Sequence, residues 1–267
     1  MSKLIFVLGA MLTLMISCKK DDQTAPTTTT INNNGTKQLR AILSGTDTIF
    51  TLFYKNNKID SLVNKSNGLF FNFLYENNSI TWFRTVDGEF PENHKKYFTA
   101  LLDTDGFTFS SSQRSGANST YLYVNSQLIE IKSTSVKIPG EQATDRKNQY
   151  KWENGNIVRL ISNRMNETIN DTLYYEYSTK LNKDFWHIGT AWLSELYSIE
   201  NLLFRNPVGV ENKNLVKSIF NSKKQVITSF DYQLDDAGYV VKYTTKNFDY
   251  TTGSQTVKTG EAIFVWK

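Results

Sequence analysis

A short motif recurs four times along this chain without a gap, and it constrains the fold more than any other feature. Each copy follows the pattern aromatic-x-Asn-small/polar-x-aliphatic-x-x-apolar, and the copies begin at Tyr54, Tyr75, Tyr123 and Trp152. A two-residue type I′ turn needs positive φ at both central positions, which Asn and Gly tolerate best. Each copy therefore predicts a β-hairpin in which the Asn and the residue after it form the loop.

The predicted hairpins share one register. With Asn56 and Asn57 as the loop, Tyr54 lies opposite Ile59. Aromatic–aliphatic pairs of this kind contribute roughly 0.2 to 1 kcal/mol each. The same register predicts three further pairs: Tyr75 with Ile80, Tyr123 with Leu128, and Trp152 with Ile157.

Less regular hairpins follow at Phe220 to Ile227 and at Tyr232 to Tyr243, and further strand-like segments run from Leu173 to Tyr177 and from Ile263 to Trp266. Hairpin after hairpin predicts a mainly β protein with an antiparallel meander. We expect about ten to twelve strands, a number at which an open twisted sheet curls or closes. The predicted fold is a curled open sheet or a barrel-like structure.

One segment near residues 184–204 has a different period, because its apolar residues recur every three or four positions. This spacing predicts an amphipathic helix inserted among the strands. Asn206 precedes Pro207 and ends the predicted helix, since the residue before a proline is disfavoured in the α region. The apolar positions are Phe185, Ile188, Trp192, Leu196, Ile199 and Leu203.

The N-terminus has the features of an export signal. Lys3 precedes an uncharged apolar run from Leu4 to Ile16, which is too short to cross a bilayer because a spanning helix takes about 20 residues. Ser17 is small and precedes Cys18, the single cysteine of the chain. This stretch resembles the lipobox of bacterial lipoproteins. It implies cleavage after residue 17 and lipid attachment to Cys18.

Residues 18–37 form a predicted flexible tether after the lipidated Cys18, because they are rich in Lys, Asp, Thr and Asn. The start of this tether, Lys19 to Asp22, looks like the charged segment of lipoproteins displayed on the surface of Bacteroidota. We expect an outer-membrane anchor and leave open whether it faces the cell surface or the periplasm. Residues 38–267 are predicted to form a single β-rich domain.

Composition narrows the classes of partner. Removing residues 1–17 lowers the formal charge from +4 to +3, since Lys3 is the one charged residue removed. No basic stripe interleaved with aromatics stands out, so we do not expect a nucleic acid partner. A single cysteine rules out an intrachain disulfide, and the 17 Phe, 14 Tyr and 5 Trp must supply stability through burial instead.

The sequence offers no recognisable catalytic or metal site. His94 and His187 do not lie within metal-ligand spacing of another His or of Cys18. Nucleophile-elbow and phosphate-loop motifs are missing. We therefore predict no catalytic residue, no cofactor and no metal.

Carboxylates give weaker signals. Paired carboxylates hydrolyse glycosides, but the sequence does not rank the candidates Asp103, Asp105, Glu130 and Glu195. The stretch from Asp103 to Gly106 looks like half of a calcium loop, yet Arg114 stands where the bidentate Glu is required. We interpret this stretch, and the one from Asp235 to Gly238, as β-turns.

Three short Asp-Thr/Ser-aliphatic patterns are centred on Thr48, Ser61 and Thr172. They resemble the acceptor for O-linked glycans on exported Bacteroidota proteins. We predict that at least one of the three hydroxyls is modified in the native host.

Several segments carry a wider resemblance: LYYEYS from Leu173 to Ser178, NPVGVENKNLVKSI from Asn206 to Ile219, and SFDYQLDDAGYVVKY from Ser229 to Tyr243. Together they resemble an uncharacterised family of Bacteroidota lipoproteins with a porin-like fold. The last segment also looks like a tyrosine-aspartate (YD) repeat, through Tyr232, Leu234, Asp235, Gly238 and Val240. The resemblance implies a fold and a compartment, but no binding or catalytic residue.

These observations predict a lipid-anchored, non-enzymatic envelope protein that binds a ligand such as a glycan. The alternative is a structural or accessory subunit of an outer-membrane complex, and the third is a glycoside-active enzyme. We do not expect a pore in lipid, because it needs a continuous outward apolar band. Here many candidate faces carry Lys, Asn, Asp or Glu, and the mean hydropathy is −0.42.

Overall fold

The computed structural model describes residues 37–65, 68–86, 95–113, 116–134, 145–164, 170–183, 212–250 and 255–267. These residues form sixteen strands and contain no helix. The strands are β1 Leu39–Ser44, β2 Asp47–Lys55, β3 Lys58–Asn64, β4 Leu69–Glu76, β5 Ser79–Val86, β6 Lys95–Leu102, β7 Thr108–Gln113, β8 Asn118–Val124, β9 Gln127–Thr134, β10 Arg146–Glu153, β11 Asn156–Arg164, β12 Asn170–Leu181, β13 Asn214–Phe220, β14 Val226–Leu234, β15 Val240–Asp249 and β16 Thr256–Trp266.

The sheet closes into a barrel. Every strand pairs antiparallel with its neighbours in sequence, and β1 also pairs with β16, so that Leu39 lies opposite Trp266. We call the end of the barrel that carries Lys37 and Lys267 the terminal end, and the opposite end the loop end. The hairpin turns of the repeated motif all lie at the terminal end, because β1 starts there and successive strands alternate in direction.

The four predicted hairpins are confirmed. Tyr54 lies opposite Ile59 in the β2–β3 pair, and the other three aromatic–aliphatic pairs form in the same way. In three of the turns both central residues have positive φ, as a type I′ turn requires. These residues are Asn56 and Asn57 (51° and 60°), Asn125 and Ser126 (50° and 63°), and Asn154 and Gly155 (53° and 80°).

A β-bulge explains the odd spacing inside the repeat. Two residues three apart in a regular strand point to opposite faces, yet Ile59 packs against the core and Leu62 is 0% exposed. The register shifts by one residue between Phe53 and Tyr54, which leaves an extra residue on β3 and returns Leu62 to the inner face. Equivalent shifts lie immediately before the aromatic residues of the β8–β9 and β10–β11 hairpins, Tyr123 and Trp152.

Apolar and aromatic side chains pack inside the barrel, mostly in the half near the terminal end. The larger cluster joins β1–β6 with β13, β15 and β16, and includes Leu52, Leu62 and Trp82 at 2%, 0% and 1% exposure. Trp82 stacks on Phe98 with ring centroids 3.9 Å apart. A second cluster, built around Leu160 and Ile219, joins β11–β14.

The structure corrects two sequence-based expectations and leaves a third outside the described residues. Of the two predicted forms, the barrel-like structure is confirmed and the open curled sheet is wrong, because β1 and β16 close the sheet. The strand number of about ten to twelve is also wrong, because strands such as β6 and β13 carry no repeated turn motif that would reveal them. The predicted helix near residues 184–204 falls outside the described residues.

Candidate functional site

One row of side chains on the inner wall changes from apolar to basic as it crosses the sheet. Directly opposed residues in neighbouring strands share a face. Ala100 belongs to the main core cluster at 0% exposure, so the residues aligned with it also face inward. The pairings run from Ala100 through Ser111, Ser119 and Ser133 to Arg146 and Arg164. We call these last five residues the arginine row.

Hydrogen bonds along the row agree with this assignment. The hydroxyl oxygens of Ser119 and Ser133 are 2.9 Å apart on adjacent strands. Ser111 Oγ lies 3.1 Å from the hydroxyl of Tyr121, which belongs to the next inward row. The arginine row is therefore one continuous strip of the inner wall.

The next row toward the terminal end is also largely polar. It runs through Tyr121, Ile131, Asn148, Ser162 and Asp171, and we call it the asparagine row. One step further along β10–β12, the inward residues are Tyr150, Leu160 and Leu173, which pack in or against the second core cluster. The inner wall of β7–β12 thus changes from polar to apolar within two rows. The two polar rows line a region at the loop end that we call the polar cup.

The floor of the polar cup contains buried groups that can still form hydrogen bonds. Asn148 forms a side-chain hydrogen bond with Tyr150, but its Oδ1 is buried and has no partner among the described residues. The hydroxyl of Tyr175 is also without a partner there, but Tyr175 is 6% exposed and lies two rows below the cup, within the second core cluster. Burial raises the pKa values of Tyr150 and Tyr175, so both phenols keep their protons. At the cup itself, Asn148 offers an acceptor.

A third inward arginine lies on another part of the wall. Arg84 is directly opposite the core residue Phe71 and lies over the ring of Tyr97, 5.6 Å from its centroid. Tyr97 in turn packs edge-on against Phe71, with centroids 6.3 Å apart. This distance is within the range of a cation–π interaction, which holds the guanidinium against the inner wall.

The outer surface of the barrel is divided in composition. Six large apolar side chains that are 41–52% exposed lie on β2, β4 and β6–β8. We call them the apolar outer patch: Phe53, Leu74, Leu101, Phe109, Leu122 and Val124. Strands β12 and β16 also expose Leu181, Val257 and Val265, but the outer face of β9–β16 carries ion pairs. These are Glu130 with Lys132 and with Lys147, Lys151 with Glu153, Lys217 with Glu176, and Lys242 with Glu261.

The carboxylates singled out in the sequence have structural roles where they are described. Asp103 Oδ1 accepts the backbone N–H groups of Asp105 (3.0 Å) and Phe107 (2.8 Å), which confirms the β-turn interpretation. Asp235 accepts the N–H of Tyr239 at 2.9 Å in the same way, and the Lys37 ammonium 2.6 Å from its Oδ2 is the main cause of its lowered pKa.

Glu130 is the remaining described candidate, and it faces outward. Its two carboxylate oxygens lie 3.1 Å from Lys132 Nζ and 2.9 Å from Lys147 Nζ. The hydrogen bond from Lys147 is the main cause of its lowered pKa. Glu130 therefore belongs to the charged outer face and not to the polar cup.

The predicted modification sites differ in their surroundings. Thr48 is exposed near the start of β2, Thr172 is half-buried in β12, and Ser61 is 7% exposed in β3. Thr48 is thus the most accessible of the three hydroxyls in the folded barrel. Cys18, His94, His187 and Glu195 lie outside the described residues, so lipidation of Cys18 and the O-glycosylation stay predictions.

Two kinds of feature are not found among the described residues. No group of three or more His, Cys, Asp or Glu side chains there is placed to hold a metal ion. No helix in that part of the chain is long and apolar enough to cross a membrane.

Known proteins share the architecture but little sequence. No protein-family model and no curated protein matches the chain. A porin-like protein from Bacteroides uniformis ATCC 8492 matches with a TM-score of 0.57 and 12% identity, covering 88% of this chain and 94% of that one. The fold is porin-like. A porin-like protein from Bacteroides vulgatus ATCC 8482 gives a TM-score of 0.56 and 15% identity, covering 86% and 98% of the two chains.

This likeness confirms the porin-like fold that the sequence resemblance implied. At 12% and 15% identity it establishes the fold alone. Membership of the lipoprotein family and the YD-repeat relationship stay predictions. The polar cup is thus a property of this chain's own residues within a porin-like barrel.

Proposed function

We propose that this chain is a non-enzymatic binding protein of the outer membrane, anchored through lipid on Cys18, that holds a polar ligand such as a glycan in the polar cup. The observation that carries the proposal is the change of the inner wall of β7–β12 from apolar to polar along the barrel axis. Ligand sites in barrels are commonly found at the mouth, where a closed floor meets an open end.

The interior favours a cup over a channel. A porin lumen is polar and filled with water, and the apolar band of the barrel faces outward to lipid. In this barrel the most deeply buried side chains, among them Leu62 and Trp82, pack inside the barrel. A solute entering from the loop end would meet this packed core, so binding is favoured over passage.

The groups of the cup match a ligand rich in hydroxyls. Serine hydroxyls both donate and accept hydrogen bonds, and Asn148 Oδ1 accepts them. Glycoside hydrolysis normally requires two carboxyl groups on either side of the scissile bond. The two rows that define the cup carry one, that of Asp171, which favours binding over catalysis.

The test is calorimetric titration of full-length protein in mild detergent with a panel of oligosaccharides. We expect Asn148→Leu to weaken binding of any sugar that binds by about fivefold or more, because losing a buried hydrogen-bond partner costs about 1–3 kcal/mol and each 1.4 kcal/mol is about tenfold. Gln149→Leu is the matched control, since Gln149 is the adjacent outward residue of β10. Failure of the whole panel to bind would refute the proposal.

Anchoring and orientation need their own test. We expect Cys18→Ala to remove the protein from the membrane fraction of native cells. Protease treatment of intact cells then distinguishes the two orientations, because a domain on the cell surface is degraded and a periplasm-facing domain survives. Membrane association that is unchanged in Cys18→Ala would refute the lipid anchor.

The apolar outer patch supports a second candidate, an accessory subunit of an outer-membrane complex. The partner we propose is an envelope protein with an uncharged apolar surface, because such patches commonly mark protein interfaces. A photo-crosslinking residue at Leu122 should then capture one defined envelope protein, whereas one at Lys242 on the charged face should not. Capture of a second copy of this chain, or equal capture at both sites, would argue against it.

A further inference from the structure

We propose that the ligand of the polar cup is an acidic saccharide, one that carries carboxylate groups such as those of uronic acids. This inference rests on the proposed function and adds the charge of the ligand. It follows from the position of Arg146 and Arg164, directly opposite each other at the loop end of the β10–β11 pair.

The two arginines form an unusual pair on the inner wall. Residues directly opposite in an antiparallel sheet have Cβ atoms about 4.5–5.5 Å apart, and like charges in that position destabilise the sheet. Both arginines already have interactions within the chain. Each guanidinium presents five N–H donors in a planar fork that fits a carboxylate, so an arginine bound to one internal group can still contact a ligand.

The residues beside the pair are small. Ser133 lies directly opposite Arg146 on β9, and Ser162 lies two residues before Arg164 on the same face of β11. Serine side chains are short and extend little from the sheet. They also offer hydrogen bonds to sugar hydroxyls next to a bound carboxylate.

Asp171 adds selectivity to the same part of the wall. It lies directly opposite Ser162, diagonally from Arg164, and contributes the one carboxylate of the two rows. A ligand with a carboxylate at the arginine row and a hydroxyl at Asp171 would satisfy both, since a carboxylate accepts hydrogen bonds from hydroxyls. The arrangement favours a sugar acid over a simple inorganic anion, which has no hydroxyl groups for Asp171.

The experiment compares two probes that differ only at their carboxyl groups: a uronic acid oligosaccharide, and the same oligosaccharide with these groups reduced to alcohols. Both are titrated into full-length protein in mild detergent at low and high salt. We expect the acidic probe to bind at least tenfold more tightly, and its advantage to shrink as salt screens the charges.

Variants assign the effect to the arginine row. Arg164→Gln should weaken binding of the acidic probe at least tenfold and leave binding of the reduced probe unchanged. Arg164→Lys should be intermediate, because it keeps the charge but loses the planar fork. Arg159→Gln is the matched control, since Arg159 lies on the same strand but faces outward, opposite Lys151. If Arg164→Gln does not fold, the weaker binding of the acidic probe by Arg164→Lys provides the test.

The outcomes separate this inference from the proposed function. If the reduced probe binds as well as the acidic one, or if Arg159→Gln weakens binding as much as Arg164→Gln, the acidic ligand is refuted and a neutral glycan remains. If neither probe binds and no oligosaccharide of the neutral panel binds, both the acidic ligand and the proposed function are refuted.

Discussion

Replacing Leu62 by alanine tests whether the inside of the barrel is a packed core. Leu62 is 0% exposed and belongs to the main cluster. The change removes carbon equivalent to about three CH₂ groups, which at about 0.8 kcal/mol each amounts to about 2.4 kcal/mol of transfer free energy. The cavity left behind raises the expected loss to about 3–5 kcal/mol. The free energy of unfolding of a domain is about 5–15 kcal/mol, so the loss is a large fraction of it.

The matched control is Leu74→Ala, because Leu74 lies on the adjacent strand β4 and is 46% exposed on the outer face. We expect it to change the free energy of unfolding by about 0.5 kcal/mol or less. The assay is urea unfolding of unlipidated protein in buffer without detergent, followed by tryptophan fluorescence. Equal losses for the two variants, or a loss below about 1 kcal/mol for Leu62→Ala, would show that apolar burial inside the barrel does not stabilise it.

Three further substitutions address local features. Ser126 has a φ of 63° in the β8–β9 turn, a conformation that costs an L-residue about 1–2 kcal/mol. Ser126→Gly should therefore raise the midpoint of thermal unfolding, and a lower midpoint would contradict the turn geometry. Asn212 is 4% exposed, and its Oδ1 accepts a hydrogen bond of 2.7 Å from the backbone N–H of Ile157. Asn212→Ala should lower the free energy of unfolding by about 1–3 kcal/mol, because it leaves that N–H without its partner. The control is Lys213→Ala at the exposed neighbouring position, which should not lower it. Lys147 lowers the pKa of Glu130, so this carboxylate stabilises the fold above its unfolded pKa of about 4.3 and loses that contribution as pH falls through the lower folded pKa. The difference in stability between wild type and Glu130→Gln should vanish below that pKa, and a difference that persists there would refute the assignment.

The repeated motif predicted the hairpins and also contained a feature that was not recognised. Tyr54 and Ile59 pair as expected because Asn56 and Asn57 adopt positive φ. The motif also places an apolar residue three positions after the aliphatic one, which contradicts the two-residue period of a regular strand. The bulge that resolves this contradiction lies next to the turn in three of the four copies. An odd spacing repeated at the same place is therefore a sequence signal for a bulge.

Closure of the sheet was beyond the reach of local patterns. A hairpin motif identifies two strands and the turn between them, whereas closure depends on the number, tilt and stagger of all strands together. Strands such as β6 and β13 follow connections without the repeated turn, so their number was underestimated. The sequence predicted that the sheet would curl, but not that Leu39 would meet Trp266.

The arginine row was missed because of the same bulge. A two-residue loop at Asn154 and Gly155 with regular pairing would place Arg146 opposite Asn163. The register shift between Lys151 and Trp152 moves its partner by one residue, to Arg164. Had the bulge been read from the spacing of the motif, the two arginines could have been paired from the sequence alone.

The seam between the first and last strands has a consequence for how the protein folds. Gln38 and Lys267 exchange two backbone hydrogen bonds of 2.8 and 2.9 Å, so the barrel is completed by residues separated by almost the whole chain. Until β16 has formed, β1 and β15 remain open edges that can pair with other chains. Pairing of the last strand removes both edges, so truncation of this one strand should convert the closed barrel into an open sheet that aggregates. The barrel is therefore complete only when its C-terminal strand has paired with its N-terminal one.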